Sequence, residues 1–308
     1  MTYMIDLRRL QVLRAVAYHG TVTAAAQSLH LTPSAASQQI RQLGQDLGVV
    51  LLERHGRRVR LTPTARSLLS HADAIESRWQ QAEAELLRTG SGPAGLLRMA
   101  GFPTAISTLL APVTAILRET CPALTVRLRE AEPAESFDLL FAGDTDLAVV
   151  EATQTGPAVG DRRFDQRALL DDRYDLLVHR EHRFAGRISV DLAELSEEDW
   201  IIGVPDNTCR EHTLAACTAA GFSPNIAHEA EQWDVVATLV AHRLGVALTP
   251  RLRQLPPDLP VAHLPVTGPT VPSRKFLTCT RRGGRDSPAV AAALRELEAY
   301  ALGRQRSG

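Results

Sequence analysis

The sequence predicts a multidomain α+β protein with three parts. These are an N-terminal winged helix-turn-helix head, a long coiled-coil linker helix, and a C-terminal α/β body of two subdomains. The prediction depends on a small-residue helix and tight turn before an amphipathic helix, on a heptad seam, and on alternating strands and helices after Leu96. We place the parts at residues 1–62, 63–90 and 91–308, with subdomain I at about 91–164 and 268–308 and subdomain II at about 165–267.

The composition of the 308-residue chain is that of a globular protein with about two domains. Hydrophobic residues make up 44% and charged residues 22% of the chain, which excludes an intrinsically disordered protein. No apolar run approaches the roughly 18 residues that a membrane span requires, and the first ten residues lack the apolar segment of a secretory signal. We therefore expect a soluble, cytoplasmic protein without membrane contact.

Charge is distributed unevenly along the chain. Residues 1–66 hold nine arginines and three acidic residues, which gives this segment a net charge of +6, whereas the rest of the chain carries −7. A basic head on an acidic body favours a polyanionic partner for the head alone.

The head begins with two predicted helices. The first covers residues 7–18, where apolar residues recur at helical spacing, and Gly20 ends it. The second covers residues 24–29, which are strong helix formers, and either Thr21 or Thr23 can cap it.

The third predicted helix carries most of the functional information. Thr32 can cap it, and Pro33 suits its first position because the missing N–H costs nothing there. One face is apolar and consists of Ala36, Ile40, Leu43 and Leu47. The opposite face carries hydroxyl, amide and guanidinium groups that can meet base edges in a major groove, namely Ser34, Ser37, Gln38, Arg41 and Gln45. A polar face alone is more often merely solvated, but the preceding short helix and turn favour a helix-turn-helix.

A short hairpin is predicted next, with strands at 49–52 and 59–61. Four arginines fall within seven positions around its tip, at Arg54, Arg57, Arg58 and Arg60, with one acidic residue nearby. A basic hairpin beside a recognition helix is typical of a wing that holds the phosphate backbone. An ordinary solvated turn is the alternative.

A long helix is predicted from Pro63, with Thr62 as its cap. Its apolar residues are spaced by three and four positions in turn, which is typical of a coiled-coil dimer seam: Ala65, Leu68, Ala72, Ile75, Trp79, Ala82 and Leu86. We expect the residues from Leu68 to Leu86 to form the dimer contact; the alternative is a helix that packs on its own domain. A dimer would present two recognition helices to a two-fold DNA site.

The body is predicted to contain two α/β units. The first has strands at 96–101, 124–129 and 146–150 and helices at 104–120 and 133–142. The second has strands at 174–179, 200–204, 225–229 and 245–249 and helices at 208–220 and 233–242. The chain then returns through Leu264 and residues 275–280 to a helix at 287–302. Two such units are expected to enclose a cleft at the carboxyl ends of their strands.

The segments LRRLQVLRAVAYHGTVTAAAQSLHLTPSAASQQIRQLGQDLG and LLERHGRRVRLTPTA closely resemble the winged helix-turn-helix of LysR-type transcriptional regulators. The resemblance covers essentially the whole chain, although Gly44 stands where the family commonly has Glu. It implies DNA contacts by Thr23, Thr32, Ser34, Ser37, Gln38, Arg41, Arg54, Arg57 and Arg58. It also implies binding of promoter DNA by a homodimer, usually assembled into a homotetramer, with consequences for RNA polymerase recruitment.

The resemblance further implies that the body is an effector-binding domain like a periplasmic binding protein. The matching segments are GFPTAISTLLAPVTAIL, DTDLAVV and VATLVAHRLGVALTP. A small-molecule effector of unknown identity, and no cofactor, is expected in a cleft lined by Phe102, Pro103, Thr104, Glu130, Glu151, Val204, Pro205, Thr208 and Trp233. Thr104 and Thr208 each combine a hydroxyl with a helix start, which suits a carboxylate, although Thr104 could simply cap its helix. No arginine maps to the cleft floor, and Glu130 or Glu151 could favour an amino group.

Other functions are disfavoured by the sequence. It contains no nucleotide-binding, nucleophile-elbow or metal-spaced motif, so neither catalysis nor a metal site is expected. The main alternative is a thiol-based redox sensor, because Cys209 and Cys217 lie broadly where peroxide-sensing members of the family carry their reactive pair. Eight residues apart on a helix, these thiols could meet only if the helix unfolded. The large acidic body argues against a non-specific architectural DNA protein.

Overall fold

The computed structural model describes residues 7–55, 58–69, 71–72, 75, 92–153, 156–161, 163–205, 207–253 and 255–307. The chain divides into two compact units. Unit 1 comprises the chain up to Val150, Gln154–Leu169 and the residues from Leu277 onward, and unit 2 comprises Glu151–Thr153 and Leu170–Phe276. Unit 1 includes the head and part of the body, so the boundaries of head, linker and subdomains stay predictions. Within the described ranges, no helix is long and apolar enough to cross a membrane.

Three helices build the head around one apolar core. They are α1 (Leu7–His19), α2 (Val22–Ser28) and α3 (Pro33–Leu47). Leu13, Ala25 and Ile40, one from each helix, are almost completely buried in this core. His30 has a φ of 53° and makes the tight turn between α2 and α3.

The hairpin that follows has strands β1 (Leu52–His55) and β2 (Arg58–Leu61), which pair antiparallel with Leu52 opposite Leu61. The predicted first strand at 49–52 is therefore wrong. Residues 49–51 form a loop that folds back on α3, because the Val49 N–H donates to the Gly44 carbonyl at 2.9 Å. The strand was predicted because Val49 and Val50 are apolar and β-branched, and such residues are common in strands.

The linker helix, α4, begins at Pro63 and is described at residues 63–69, 71–72 and 75. Thr62 caps it, because its Oγ1 accepts the Ala65 N–H at 3.1 Å. Ala65, Leu69 and Ala72 are buried in the core of the head, and Leu68 packs against that core.

The start of the linker helix therefore packs on its own domain. Ala72 was expected in the dimer contact; that expectation is wrong, because the head itself already buries this residue. Leu68 is shared between the head core and solvent, and Ile75 is 58% exposed. The remaining seam residues Trp79, Ala82 and Leu86 lie outside the described residues.

In the body, unit 1 has the predicted β-α-β-α-β order. Strand β3 (Gly95–Gly101) pairs in parallel with β4 (Leu124–Glu130) and with β5 (Leu147–Glu151). The helical segment after β3 consists of α5 (Pro103–Ala105), a π-helical turn (Ile106–Leu110) and α6 (Ala111–Thr120). Helices α7 (Pro133–Ala142) and α10 (Pro288–Ser307) complete the unit. The π-helical turn was not predicted; Pro112, which has no N–H to donate, is the second residue after it.

Two strands, β6 (Phe164–His179) and β12 (Ser273–Arg281), run from one unit into the other. In unit 2, β6 pairs antiparallel with β10 (Ala247–Pro250) and β11 (Val261–Thr267), and β11 pairs in parallel with β7 (Val190–Asp191). A separate parallel pair is formed by β8 (Asp199–Ile202) and β9 (Asn225–Glu229), and the helices are α8 (Thr208–Ala219) and α9 (Trp233–Ala241). Tyr174 and Trp200 are fully buried in the core of this unit.

Candidate DNA-binding surface and effector site

The sequence of α3 fixes which of its faces meets solvent. Ala36, Ile40 and Leu43 are buried in the core of the head, which places the opposite face outward. Ser34, Gln38, Arg41 and Gln45 are exposed there, and Ser37 is half-buried. These side chains can donate and accept hydrogen bonds at base edges, and Arg41 adds a positive charge.

Threonine caps hold the helix-turn-helix backbone. Thr32 Oγ1 accepts the Ala35 N–H at 3.2 Å and also lies 3.1 Å from the Ser34 hydroxyl, so α3 starts at Pro33 as predicted. Of the two candidates for the second cap, Thr21 is the cap of α2, because its Oγ1 accepts the Ala24 N–H at 3.2 Å. Thr23 lies inside α2 with its side chain exposed, so a contact with the DNA backbone stays a prediction for this residue.

Gly44 allows the loop after α3 to lie close against the helix. A Cβ at this position would lie 2.8 Å from the carbonyl oxygen of Val49, closer than side chains tolerate. The loop and the helix together line an open hollow that includes Ser37, Arg41 and Gln45 on one side and Val49 to Leu52 on the other. Val50 is 70% exposed beside it. An apolar patch therefore adjoins the polar face of α3.

The wing carries several basic residues, of which the structure describes one side chain. Arg60 on β2 is exposed and lies opposite Glu53 on β1. Arg57 lies outside the described residues, and the structure describes only the backbone of Arg54 and Arg58, which belong to β1 and β2. The predicted phosphate contacts of these three arginines stay predictions.

Four of the predicted effector-binding residues lie in unit 1 at the carboxyl ends of β3 and β4. Gly101, at the end of β3, lies directly opposite Glu130, whose side chain is exposed. Phe102 and Thr104 are buried, and α5 begins between them at Pro103. The alternative that Thr104 caps its helix is wrong, because Phe102 occupies the cap position and makes no side-chain hydrogen bond there.

The other five predicted residues lie in unit 2. Trp233 lines a narrow recess of about 20 Å³, which is room for little more than one water molecule. Thr208 is the first residue of α8, but Asn207 is the cap. The Asn207 Oδ1 accepts the N–H groups of Cys209 at 2.9 Å and Arg210 at 3.3 Å. A ligand carboxylate at this helix start would compete with Asn207 for these donors. Val204 is half-buried and Pro205 is exposed, and neither lines the recess.

A buried polar cluster surrounds Glu151, and the sequence analysis missed most of it. Arg274 Nη2 lies 2.6 Å from Asp172 Oδ2, and both side chains are almost fully buried. Arg274 Nη1 lies 4.0 Å from Glu151 Oε2. The sequence analysis did not anticipate an arginine beside Glu151, and its expectation that no arginine lies on the cleft floor stays a prediction. Asp172 and Tyr174 both fall on the inward positions of β6, where an acidic residue in an otherwise apolar alternation was the available signal.

The cluster continues through Tyr174 to α8. The Tyr174 hydroxyl donates to Cys209 Sγ at 3.2 Å and lies 3.2 Å from His212 Nδ1. The His212 Nδ1 in turn lies 3.9 Å from Glu151 Oε1. Burial raises the pKa of Tyr174 and of Asp172, and the nearby Arg274 acts against the shift at both groups. Burial and the charge of Arg274 lower the pKa of His212, so this imidazole is kept neutral.

The two cysteines of the redox alternative have different surroundings. Burial raises the pKa of Cys209, although the charge of Arg274 and the hydrogen bond from Tyr174 act in the opposite direction. Cys217 is fully buried in the apolar core of unit 2, which raises its pKa to about 12. Both thiols are free, and both lie on α8, where eight residues of helix separate them by roughly 12 Å along the axis. A disulfide needs Cα atoms about 4.4–6.8 Å apart, so α8 would have to unfold.

Comparison with known families decides the classification. Residues 7–66 match the family model described as "Bacterial regulatory helix-turn-helix protein, lysR family", and residues 90–301 match "LysR substrate binding domain". The chain belongs to the LysR family of transcriptional regulators. LysR proteins are DNA-binding regulators, so the expectation that the chain is not an enzyme is confirmed, as is the predicted fold class.

Individual LysR relatives match over most of their length. The "Uncharacterized HTH-type transcriptional regulator YwbI" of Bacillus subtilis is 31% identical over 271 residues, which are 87% of this chain and 88% of the relative. The "Hydrogen peroxide-inducible genes activator" of Escherichia coli O157:H7 is 27% identical over 268 residues, 86% of each chain. The solved structure of full-length CbnR with its target DNA covers 96% of this chain and 100% of its own, with 23% identity and a TM-score of 0.56. This last likeness is one of fold.

We predict that Gly44→Ala destabilises the head. The new methyl group meets the backbone carbonyl of Val49, so the loop must move away from α3, at a cost of about 1–3 kcal/mol. Urea unfolding followed by circular dichroism measures the change. Gly303→Ala is the matched control, because this helical glycine has open space around it and should gain up to about 1 kcal/mol. Equal stability of Gly44→Ala and wild type would show that the close approach does not constrain the loop.

We predict that His212 contributes to a loss of stability in acid. Its pKa is lowered in the folded state from 6.5, so below about pH 6.5 the unfolded chain takes up the proton more readily. Stability from this group is present above pH 6.5 and is lost as the pH falls through the folded pKa, at no more than about 1.4 kcal/mol per pH unit. Thermal unfolding between pH 7 and pH 5 should show a smaller drop for His212→Gln than for wild type. His242→Gln, at an exposed position, serves as control and should behave like wild type; a full-sized drop in His212→Gln would contradict the prediction.

Proposed function

We propose that this LysR-family chain binds promoter DNA through α3 and the wing, as a homodimer or homotetramer in the cytoplasm. The observation that carries the proposal is the outward polar face of α3, where Ser34, Gln38 and Arg41 are exposed while the opposite face anchors the head. The solved complex of CbnR with its target DNA supports it as a precedent for this fold. The protein would act on transcription by altering RNA polymerase recruitment.

The proposed dimer contact is the outer part of the linker helix. The exposed Ile75 continues the heptad spacing of Trp79, Ala82 and Leu86 in the sequence. The first turns of α4 do not belong to this proposed contact, because Ala65 and Ala72 are buried in the core of the head.

The proposed effector is a small molecule bound in the body. The candidate residues are Phe102, Pro103, Thr104 and Glu130 in unit 1 and Glu151, Val204, Pro205, Thr208 and Trp233 in unit 2. The buried pair of Arg274 and Asp172 supports a role for polar recognition near Glu151, because buried charges this close hold their neighbours in a defined arrangement.

The test of DNA binding compares the DNA upstream of the protein's own gene with an unrelated fragment, at several salt concentrations. We expect a preference on the order of a thousandfold and a steep loss of affinity with salt. Arg41→Ala should weaken specific binding by about 1–3 kcal/mol. Arg118→Ala removes the same charge from an exposed position on α6 and should bind like wild type. Equal, weak binding of both fragments, or equal loss in both variants, would count against the proposed surface.

A second candidate function is thiol-based sensing. It is favoured by the contact of Cys209 with Tyr174 and by the similarity of the chain to relatives named hydrogen peroxide-inducible genes activators. In that reaction the Cys209 thiol loses its proton, and the thiolate attacks one oxygen of hydrogen peroxide. The O–O bond breaks, the sulfur becomes a sulfenic acid, and the departing hydroxide takes up the thiol's proton to form water. Attack by Cys217 would release a second water and leave a disulfide. The raised pKa values of both thiols and the intact α8 between them favour the small-molecule effector over this reaction.

Thiol titration separates the two candidates. For a small-molecule regulator we expect that a stoichiometric amount of hydrogen peroxide leaves Cys209 and Cys217 titratable after unfolding. Cys121→Ser removes a thiol outside α8 and provides the counting control. Loss of two thiols together with a Cys209–Cys217 linked peptide in mass spectrometry would instead establish the redox function.

A further inference from the structure

The middle of helix α1 is buried all round, which is unusual for a surface helix of a small domain. Five consecutive residues, Val12 to Val16, are each at most 5% exposed, and they include the charged side chain of Arg14. Successive residues of a helix point about 100° apart, so this run covers the whole circumference. One side of α1 packs in the core of the head. Another side lies against α7 of the body, which belongs to the same unit.

The last turn of α1 contributes an aromatic side chain to this contact. The ring of Tyr18 stacks on Phe141, with centroids 5.0 Å apart and planes at 28°. It meets Phe164 edge to face at a centroid distance of 6.4 Å and an angle of 89°. The ring of Phe137 packs edge to face on Phe164, with centroids 4.9 Å apart. All three phenylalanines are buried and are more than 100 residues distant in sequence.

Polar groups complete the surroundings of the Tyr18 ring. The guanidinium carbon of Arg163 lies 4.9 Å from the ring centroid, and Asp161 holds that guanidinium by hydrogen bonds of 3.0 and 2.6 Å. The Tyr18 hydroxyl hydrogen-bonds with the Asp138 carboxylate on α7, and burial together with this carboxylate raises the pKa of Tyr18. Stacking, a cation and a hydrogen bond therefore act on one side chain, as in a specific interface.

We propose that Tyr18 docks the DNA-binding head onto the body of the same chain, and that the socket of Phe141, Phe164, Arg163 and Asp138 is its receptor. The polar face of α3 stays exposed in the docked state, so docking leaves DNA access open and fixes the direction in which α3 is presented. Phe164 is the first residue of β6, the strand that also carries Asp172 and Tyr174 of the buried polar cluster. This strand is the route by which we expect a change in the cluster to reach the socket. This route, unlike the docking itself, rests on the proposed effector function.

Hydrogen exchange of the full-length protein tests the docking without DNA or effector. Tyr18→Ala should raise the exchange rate of the α7 amides at 137–142 about fivefold or more, because the socket loses its stacked ring. Phe141→Ala should raise the exchange rate of the α1 amides at 14–19 by a similar factor. Tyr18→Phe keeps the stacked ring and removes the hydrogen bond to Asp138, so its effect should be smaller. Phe222→Ala, beside Trp200 in unit 2, should leave both segments unchanged.

The reciprocity of the two effects decides the outcome. If Tyr18→Ala leaves 137–142 unchanged and Phe141→Ala leaves 14–19 unchanged, the head is not docked and the proposal is overturned. If Tyr18→Ala loses helical circular dichroism, Phe141→Ala decides, because it leaves the sequence of the head intact: faster exchange at 14–19 in that variant supports the docking, and unchanged exchange overturns it. DNA titration of the same variants is a separate readout: Tyr18→Ala should keep the wild-type salt dependence, because Tyr18 is not a phosphate contact. A failure of the protein to bind DNA would leave the exchange result, and hence the docking, intact.

Discussion

The apolar core of the head is the constraint that determines the binding surface. Leu13 of α1, Ala25 of α2 and Ile40 of α3 are almost completely removed from water, and this burial fixes the rotation of α3 about its own axis. A helix rotated by one position would expose Ile40 and bury Arg41 at a large cost in free energy. The Thr32 cap fixes the start of the same helix. Rotation and start together set which side chains reach a DNA groove.

Unit 2 is constrained by a buried pair of opposite charges, Arg274 and Asp172. Arg274 and Asp172 are nearly inaccessible, and a pair of this kind is tolerated only when its geometry and its hydrogen bonds offset the lost hydration. The Leu252 N–H supplies one such bond to Asp172 at 2.9 Å. Removing one partner would leave the other charge buried alone, at a cost of about 3–5 kcal/mol, so the pair joins β6 to β12 only while both residues are present. The candidate effector residue Glu151 lies at the edge of this rigid cluster.

The sequence predicted those features that local chemistry decides. The start of α3 followed from Thr32 and Pro33, its faces followed from residue spacing, and the order of strands and helices in unit 1 followed from hydrophobic periodicity. The errors arose where distant residues decide. Val49 and Val50 have the preferences of strand residues but are held in a loop by Gly44. Ala72 fits a dimer seam but is taken up by the head, and the roles of Arg274 and Tyr18 required knowledge of partners far along the chain.

The division of the chain into units has a consequence for its synthesis. Unit 2 is a nearly continuous stretch, Leu170–Phe276, whereas unit 1 is completed only by residues from Leu277 onward. During translation from the N-terminus, unit 2 therefore leaves the ribosome whole while β3, β4 and β5 still lack α10 and the end of β12. The inserted unit can fold first. Once folded, it acts as a closed loop between the two parts of unit 1 and brings these parts together. Since closing a structured loop costs less entropy than closing a flexible one of more than 100 residues, early folding of the insertion should speed assembly of the host.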